Sequence, residues 1–133
     1  MSKKKKLNLL PLFIDLSNPS PNQGWLQLER AGFQERFSCD ALIALALEHH
    51  LIIGKNIPIS EFISWITNFA KFGLLEFIPK DDETILDMLS TKEDIYIDYS
   101  ENNFETNLKK KANIINKFNL SNSNRVIYEF ETF

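Results

Sequence analysis

The stretch Asp40–Leu47 (DALIALAL) decides the fold class. It is a short continuous apolar run, which is typical of a parallel strand covered on both faces. Taken alone, the run could equally be a buried helical segment. The surrounding pattern favours a strand, because predicted helices and further strands alternate along the rest of the chain.

Upstream of this run, Leu9–Leu16 (LLPLFIDL) predicts a buried strand that ends at Asp15. Downstream, we expect a helix that is capped by Ser60 and ended by Gly73, because serine caps helix starts and glycine ends helices. Its apolar face has helical spacing and consists of Phe62, Ile63, Trp65, Ile66, Phe69 and Ala70.

The second half continues the alternation. Leu74–Ile78 is a predicted strand, followed by a short helix capped by Asp81 or Asp82 and by a helix over 100–111. The last two predicted strands, 114–120 and 125–133, are joined by a short turn and should be antiparallel neighbours. The sequence therefore predicts an α/β sheet with parallel crossovers that finishes in an antiparallel hairpin.

Composition narrows the class of protein. The chain has 133 residues, of which 44% are hydrophobic and 25% charged, as in one globular domain. We expect a basic flexible tail over 1–6 and a single domain over 7–133. No apolar run approaches the roughly 20 residues of a membrane span, which argues against an integral membrane protein. The single cysteine, Cys39, fits a cytoplasmic location, and the net charge of −3 argues against nucleic-acid binding.

Four motifs, in order along the chain, resemble the C-terminal half of the class I S-adenosylmethionine-dependent methyltransferase domain. The resemblance extends from about Leu7 to Phe130. The motifs are Asp15-Leu16-Ser17-Asn18-Pro19-Ser20-Pro21 with Gly24-Trp25, Ala44–Leu47 running into His49-His50-Leu51, Glu76-Phe77-Ile78-Pro79-Lys80-Asp81-Asp82, and Lys92-Glu93-Asp94-Ile95 with Asp98-Tyr99.

The resemblance implies a partial Rossmann-like sheet. The family's strand order is 3-2-1-4-5-7-6, with strand 7 antiparallel, and the predicted strands would be strands 3, 4, 5, 6 and 7, with flanking helices. Strands 1 and 2 have no counterpart. In the family they carry the Gly-rich turn beneath the cofactor and the acid that binds its ribose. None of the chain's four glycines stands in a G-x-G pattern.

The resemblance also implies a cofactor side. Asp15 would accept a hydrogen bond from the adenine amine, the Leu16 amide would add a contact, and Ala44, Leu45 and Ala46 would pass beside the methylthio group. The residues themselves leave alternatives open. Asp15 could simply cap its own turn, and the apolar run could be plain core.

On the acceptor side, His49 and His50 are the candidate catalytic residues. A histidine there could act as a general base or could only shape the pocket, and adjacent histidines point in different directions, so at most one is expected to be catalytic. Glu76, Pro79 and Lys80 are the candidate substrate-side residues. Glu76 lies in an apolar run and must find a partner, either a loop amide or a histidine. No metal site is expected, since Cys39 is not at a ligand spacing.

These inferences predict a methyltransferase-like protein that is inactive alone. It would bind S-adenosylmethionine only if a complementing N-terminal half supplied the Gly-rich turn. The alternatives are a non-catalytic interaction module and the remnant of a disrupted gene. Possible partners are that N-terminal half or a second copy, pairing at the exposed edge of strand 4. The fold does not select the methyl acceptor.

Overall fold

A four-stranded mixed sheet with flanking helices organises the chain, as seen in a computed structural model that describes residues 7–133. The predicted basic tail, residues 1–6, lies outside the described residues. None of the described helices is long and apolar enough to cross a membrane. The strands are β1 (Cys39–Ala44), β2 (Ala70–Phe77), β3 (Ala112–Asn119) and β4 (Val126–Thr132). The helices are α1 (Phe33–Arg36), α2 (Glu48–Ile52), α3 (Ile59–Ile66), α4 (Glu83–Leu89) and α5 (Glu101–Lys109). A 3-10 turn at Trp25–Gln27 precedes α1.

The sheet combines one parallel and two antiparallel pairs. Its order is β1-β2-β4-β3. β1 pairs with β2 in parallel, and α2 and α3 form the crossover between them. β4 lies antiparallel to both β2 and β3. The predicted α/β class and the predicted C-terminal hairpin are therefore confirmed.

The first predicted strand is not present, which corrects the expectation of five strands. Residues 7–15 form no helix or strand, and no described strand pairs with them. Their large apolar side chains are mostly exposed, among them Leu9, Leu10, Leu12 and Phe13. A strand is stable only when a neighbour takes its backbone hydrogen bonds. Apolar composition at Leu9–Leu16 predicted a strand but could not supply that neighbour.

The boundaries of α3 also differ from the prediction. Its N-cap is Pro58, with no side-chain cap, so Ser60 lies inside the helix. Its buried residues are Ile59, Phe62, Ile63 and Ile66, at the i, i+3, i+4, i+7 spacing of an amphipathic helix.

Gly73 does not end this helix but lies within β2. A Cβ placed there would come within 2.7 Å of the Phe130 ring and 2.9 Å of the Leu42 carbonyl oxygen. Close packing across the sheet therefore explains this glycine, and β2 begins at Ala70, earlier than the predicted Leu74.

The core lies between one face of the sheet and the helices. Leu75, Tyr128 and Phe130 are buried on this face, and α5 contributes Phe104 and Leu108. The Phe104 ring packs 5.1 Å from the Phe77 centroid and 5.8 Å from the Tyr128 centroid. Phe104 thus joins α5 to the two central strands.

Replacement of this ring tests the core. Phe104→Ala should lower the free energy of unfolding by about 3–5 kcal/mol, because it leaves a cavity between helix and sheet. Urea unfolding followed by circular dichroism measures the change. Leu86→Ala on the exposed side of α4 is the control and should change stability by less than about 0.5 kcal/mol. Equal effects of the two substitutions would contradict the described packing of α5.

Candidate functional site

Three strand ends meet at one edge of the sheet. β1 and β2 are parallel, so their carboxyl ends share this edge, and the antiparallel β4 begins there. This carboxyl edge, where β1 and β2 end, brings together three segments. They are Ala44–Ala46 at the end of β1, Glu76–Lys80 at the end of β2, and Arg125 just before β4. The carboxyl edge of an α/β sheet is where such folds bind ligands.

Glu76 links β2 to the segment after β1. Its Oε2 accepts a hydrogen bond of 2.8 Å from the Ala46 N–H, and its Oε1 lies 3.6 Å from Nη1 of Arg125. The side chain is buried. Of the two partners predicted for Glu76, a loop amide or a histidine, the structure contains the loop amide. Ala46 has a φ of 53°, in the left-handed region that residues with a Cβ rarely adopt.

A second buried glutamate, Glu48, was missed as a site residue. Its Oε1 accepts a 2.8 Å hydrogen bond from the Ile78 N–H. The Tyr99 hydroxyl lies 2.9 Å from both carboxyl oxygens and 2.5 Å from the Ile78 carbonyl oxygen. Burial raises the pKa of Glu48 to about 8. A protonated Glu48 donates to Tyr99, which in turn donates to Ile78, so every group finds a partner.

Arg125 is a further residue that sequence reasoning did not identify. Its Nε and Nη2 donate to the two carboxylate oxygens of Asp82 at 2.8 and 3.1 Å. Asp82 also accepts from the Thr84 N–H, which confirms the predicted cap of α4. The Arg125 hydrogen bonds lower the pKa of Asp82 to about 2 and raise the pKa of Arg125. This ion pair ties the start of β4 to α4 and, through Glu76, to β2.

The two histidines have different environments. His49 is 1% exposed, and its buried Nδ1 has no hydrogen-bond partner among residues 7–133. Burial, and next the charge of His50, lower the pKa of His49 to about 4, so its ring is neutral at pH 7. His50 is exposed, with its ring centroid 4.0 Å from that of His49. Among the described residues, no group of three or more His, Cys, Asp or Glu side chains is placed to hold a metal ion.

Asp15 and Leu16 lie in a turn over residues 15–18, which precedes the first strand of the sheet. Asp15 is exposed, and its Oδ1 accepts from the Ser17 hydroxyl at 2.6 Å and from the Ser17 N–H at 3.0 Å. These bonds lower the pKa of Asp15. Leu16 is partly buried against the core. The described hydrogen bonds of Asp15 thus serve its own turn, and none of them joins it to Ala44–Ala46.

The remaining predicted residues lie just beyond β2. The Pro79 carbonyl accepts from the Asp82 N–H at 3.0 Å. Lys80 donates to the Tyr96 carbonyl and pairs with Asp94, both at 2.8 Å. Lys80 is therefore directed toward the 94–96 segment.

Two further predicted residues lie at the end of β1. Leu45 is about half exposed, whereas Ala44 is buried in the core.

Comparison with known proteins finds similarity to a curated nodulation protein. The chain is 50% identical over 124 residues to nodulation protein NoeA of Rhizobium meliloti (strain 1021), a match that covers 93% of this chain. It covers only 26% of NoeA, so the chain spans about a quarter of the length of this relative. No family model matches the chain. No solved structure matches it either.

The opposite pKa shifts of Glu48 and His49 predict a pH profile for stability. Glu48, raised from 4.5 to about 8, holds an extra proton in the folded state, so stability falls as the pH rises through that range. His49, lowered from 6.5 to about 4, makes stability rise between those values. The two slopes oppose each other up to pH 6.5. Between pH 6.5 and 8, we expect the free energy of unfolding to fall by about 1–2 kcal/mol.

Glu48→Gln tests this assignment. The amide still accepts from Ile78 but does not titrate, so the decline between pH 6.5 and 8 should disappear. Urea unfolding at half-unit pH steps measures the slope. The exposed Glu83→Gln in α4 is the matched control and should retain the decline. A decline that persists in Glu48→Gln would assign it to another group.

Proposed function

We propose that this chain forms the C-terminal part of a class I S-adenosylmethionine-dependent methyltransferase domain, with a partial Rossmann-like sheet. The observation that carries the proposal is the strand order β1-β2-β4-β3, with antiparallel β4 between β2 and β3. The methyltransferase sheet ends in strands 4, 5, 7 and 6 in this same order, with strand 7 antiparallel. The agreement is specific, because a sequential antiparallel meander would place β3 beside β2.

Under this proposal, the described chain carries only part of the cofactor site. The Gly-rich turn and the ribose-binding acid belong to family strands 1 and 2, and the sequence has no G-x-G pattern. β1, which corresponds to strand 4, is at the edge of the sheet formed by residues 7–133. We expect methyl transfer only when a complementing N-terminal half completes the cofactor site. About three quarters of NoeA lies outside the match, and this part is the first candidate to test as the complementing half.

The residues present fit one side of a cofactor site. Ala44 and Ala46 have small side chains at the carboxyl end of β1, where a ligand can approach the backbone. The left-handed Ala46, held by Glu76, supports this role, because such strain concentrates at ligand-binding segments. Asp15 presents an exposed carboxylate that can accept from an exocyclic amine. The bound cofactor would supply the methyl group, and these residues would orient it.

On the acceptor side, His50 is the stronger candidate for a general base. Its ring is exposed and can accept a proton from a hydroxyl or amine, whereas the neutral His49 ring is enclosed. We assign His49 to the support of His50, against which it packs. Glu76, Pro79 and Lys80 would flank the acceptor, with Glu76 and Lys80 already held by Ala46 and Asp94.

Calorimetric titration with S-adenosylmethionine tests the proposal. The chain is expressed alone and together with the part of NoeA that lies outside the match. We expect binding only in the co-expressed complex. In that complex, Asp15→Ala should weaken the affinity about tenfold, the effect of losing one hydrogen bond to a charged group.

Two control variants test whether the loss of affinity is specific to Asp15. Asp87→Ala removes an exposed carboxylate from α4 and should leave the affinity unchanged. His50→Ala should also leave it unchanged, since His50 is assigned to the acceptor. A complex that binds no S-adenosylmethionine would overturn the methyltransferase proposal and favour a non-catalytic interaction module. Binding by the chain alone would overturn the need for a complementing part.

A further inference from the structure

A cleft between the helices lies apart from the carboxyl edge. It has a volume of about 510 Å³ and is lined by the loop between α2 and α3, by the segment 95–99 and by α5. Small-molecule sites have volumes of roughly 300–1,000 Å³. The carboxyl-edge segments Ala44–Ala46 and Glu76–Lys80 do not line it. A ligand of this cleft would therefore be distinct from the methyl donor and the acceptor of the proposed function.

Hydrogen bonds hold one wall of the cleft in place. The Tyr96 hydroxyl lies 2.9 Å from the Ile53 carbonyl oxygen and also contacts the side-chain oxygen of Asn56. Lys92 donates to the same Ile53 carbonyl at 2.6 Å. Asn56 has a φ of 57°, in the left-handed region that asparagine adopts more readily than most residues. These contacts join the segment 92–96 to the end of α2, so the wall is formed before any ligand binds.

The two ends of the cleft carry opposite charges. Asp98 lies beside the first turns of α5, because its carbonyl oxygen accepts from the Asn103 side chain at 2.8 Å. Lys110 is the C-cap of α5. At a rise of 1.5 Å per residue, Asn103 and Lys110 are about 10 Å apart along the helix axis. Among residues 7–133, neither the Asp98 carboxylate nor the Lys110 ammonium group forms an ion pair. Both charges are therefore available to a ligand.

The lining between the charged ends is neutral. The Asn107 amide nitrogen donates to the carbonyl and side-chain oxygens of Asn103, at 2.8 and 3.0 Å. Its own side-chain oxygen is left to accept from a ligand N–H. Ile57 and Ile95 add apolar surface to the same cleft. An amide group and a small apolar side chain in the ligand would complement this middle part.

We propose that this cleft binds a small molecule that carries an ammonium group and a carboxylate about 10 Å apart, as an unblocked tripeptide does. An extended chain rises about 3.3 Å per residue, so three residues span that distance. The ammonium group of the ligand binds Asp98, and its carboxylate binds Lys110. A central backbone N–H donates to Asn107, and the central side chain packs on Ile57 and Ile95.

The charge pattern selects this class of ligand over others. A ligand with two groups of the same charge would be attracted at one end of the cleft and repelled at the other. A neutral, polyhydroxylated ligand could bind the asparagine side chains but would leave Asp98 and Lys110 without counter-charges. Only opposite charges at the two ends of the ligand satisfy both residues.

Calorimetric titration of the chain with the tripeptide Ala-Leu-Ala tests the site. We expect saturable binding. The N-acetylated and the C-amidated forms of the peptide should each bind about fivefold more weakly, because each lacks one charge and an exposed ion pair makes a contribution of this size. A peptide with both ends blocked should lose both contributions.

Substitutions in the cleft assign each charge to its partner. Asp98→Asn and Lys110→Ala should each weaken binding of the unblocked peptide about fivefold. Asp98→Asn should change binding of the N-acetylated peptide less than twofold, because the ion pair is already absent there. Asp87→Asn and Lys111→Ala are the matched controls, since both residues are exposed and lie outside the cleft. Urea unfolding verifies that each variant folds.

Three outcomes would overturn the site. They are absence of Ala-Leu-Ala binding, equal losses in Lys110→Ala and Lys111→Ala, and unchanged affinity for the blocked peptides. Binding of glucose that Ala-Leu-Ala does not displace would also overturn it, in favour of a neutral ligand. These results are independent of S-adenosylmethionine binding, because the charged residues of the cleft are not those of the carboxyl edge.

Discussion

The buried carboxyl group of Glu48 is the interaction on which the candidate site depends. It lies at the start of α2 and binds the backbone amide at the end of β2 and the hydroxyl of Tyr99, which precedes α5. Ile78 is buried, so an absent Glu48 carboxyl would leave the Ile78 N–H without its partner, while the Tyr99 hydroxyl would keep only the Ile78 carbonyl oxygen. A buried donor without a partner costs about 1–3 kcal/mol. Three segments far apart in sequence are thus held in one arrangement by a single side chain.

A second set of contacts completes the same edge of the sheet. Glu76 binds the amide of Ala46, and Arg125 connects Glu76 to Asp82. Glu48 anchors α2 and the end of β2, while Arg125 anchors the start of β4 and α4. The segment Leu45–Leu47 between β1 and α2 is therefore fixed at both ends, and the left-handed Ala46 is held without a glycine. A rigid loop at the carboxyl edge is the feature that a ligand site requires.

The sequence predicted the fold better than the site because the two depend on contacts of different range. Apolar spacing identified α3, and the turn at 121–124 identified the β3–β4 hairpin. β1 was predicted too long, since Glu48 begins a helix through contacts with Ile78 and Tyr99, residues 30 and 51 positions away. The partner of Glu76 could be foreseen by type, because a glutamate in an apolar run needs a donor. Arg125 gave no local signal, since its partner Asp82 is 43 positions away.

The two errors over Leu9–Leu16 and Gly73 have one physical origin. Local sequence indicates that a segment is suited to a strand or to a break, but neighbours decide the outcome. Gly73 lies within a strand because Phe130 packs closely above it. Leu9–Leu16 pairs with no described strand and forms none, although its composition is that of a buried strand. In each case the sequence encodes a contact, and the arrangement of the remaining polypeptide determines whether that contact forms.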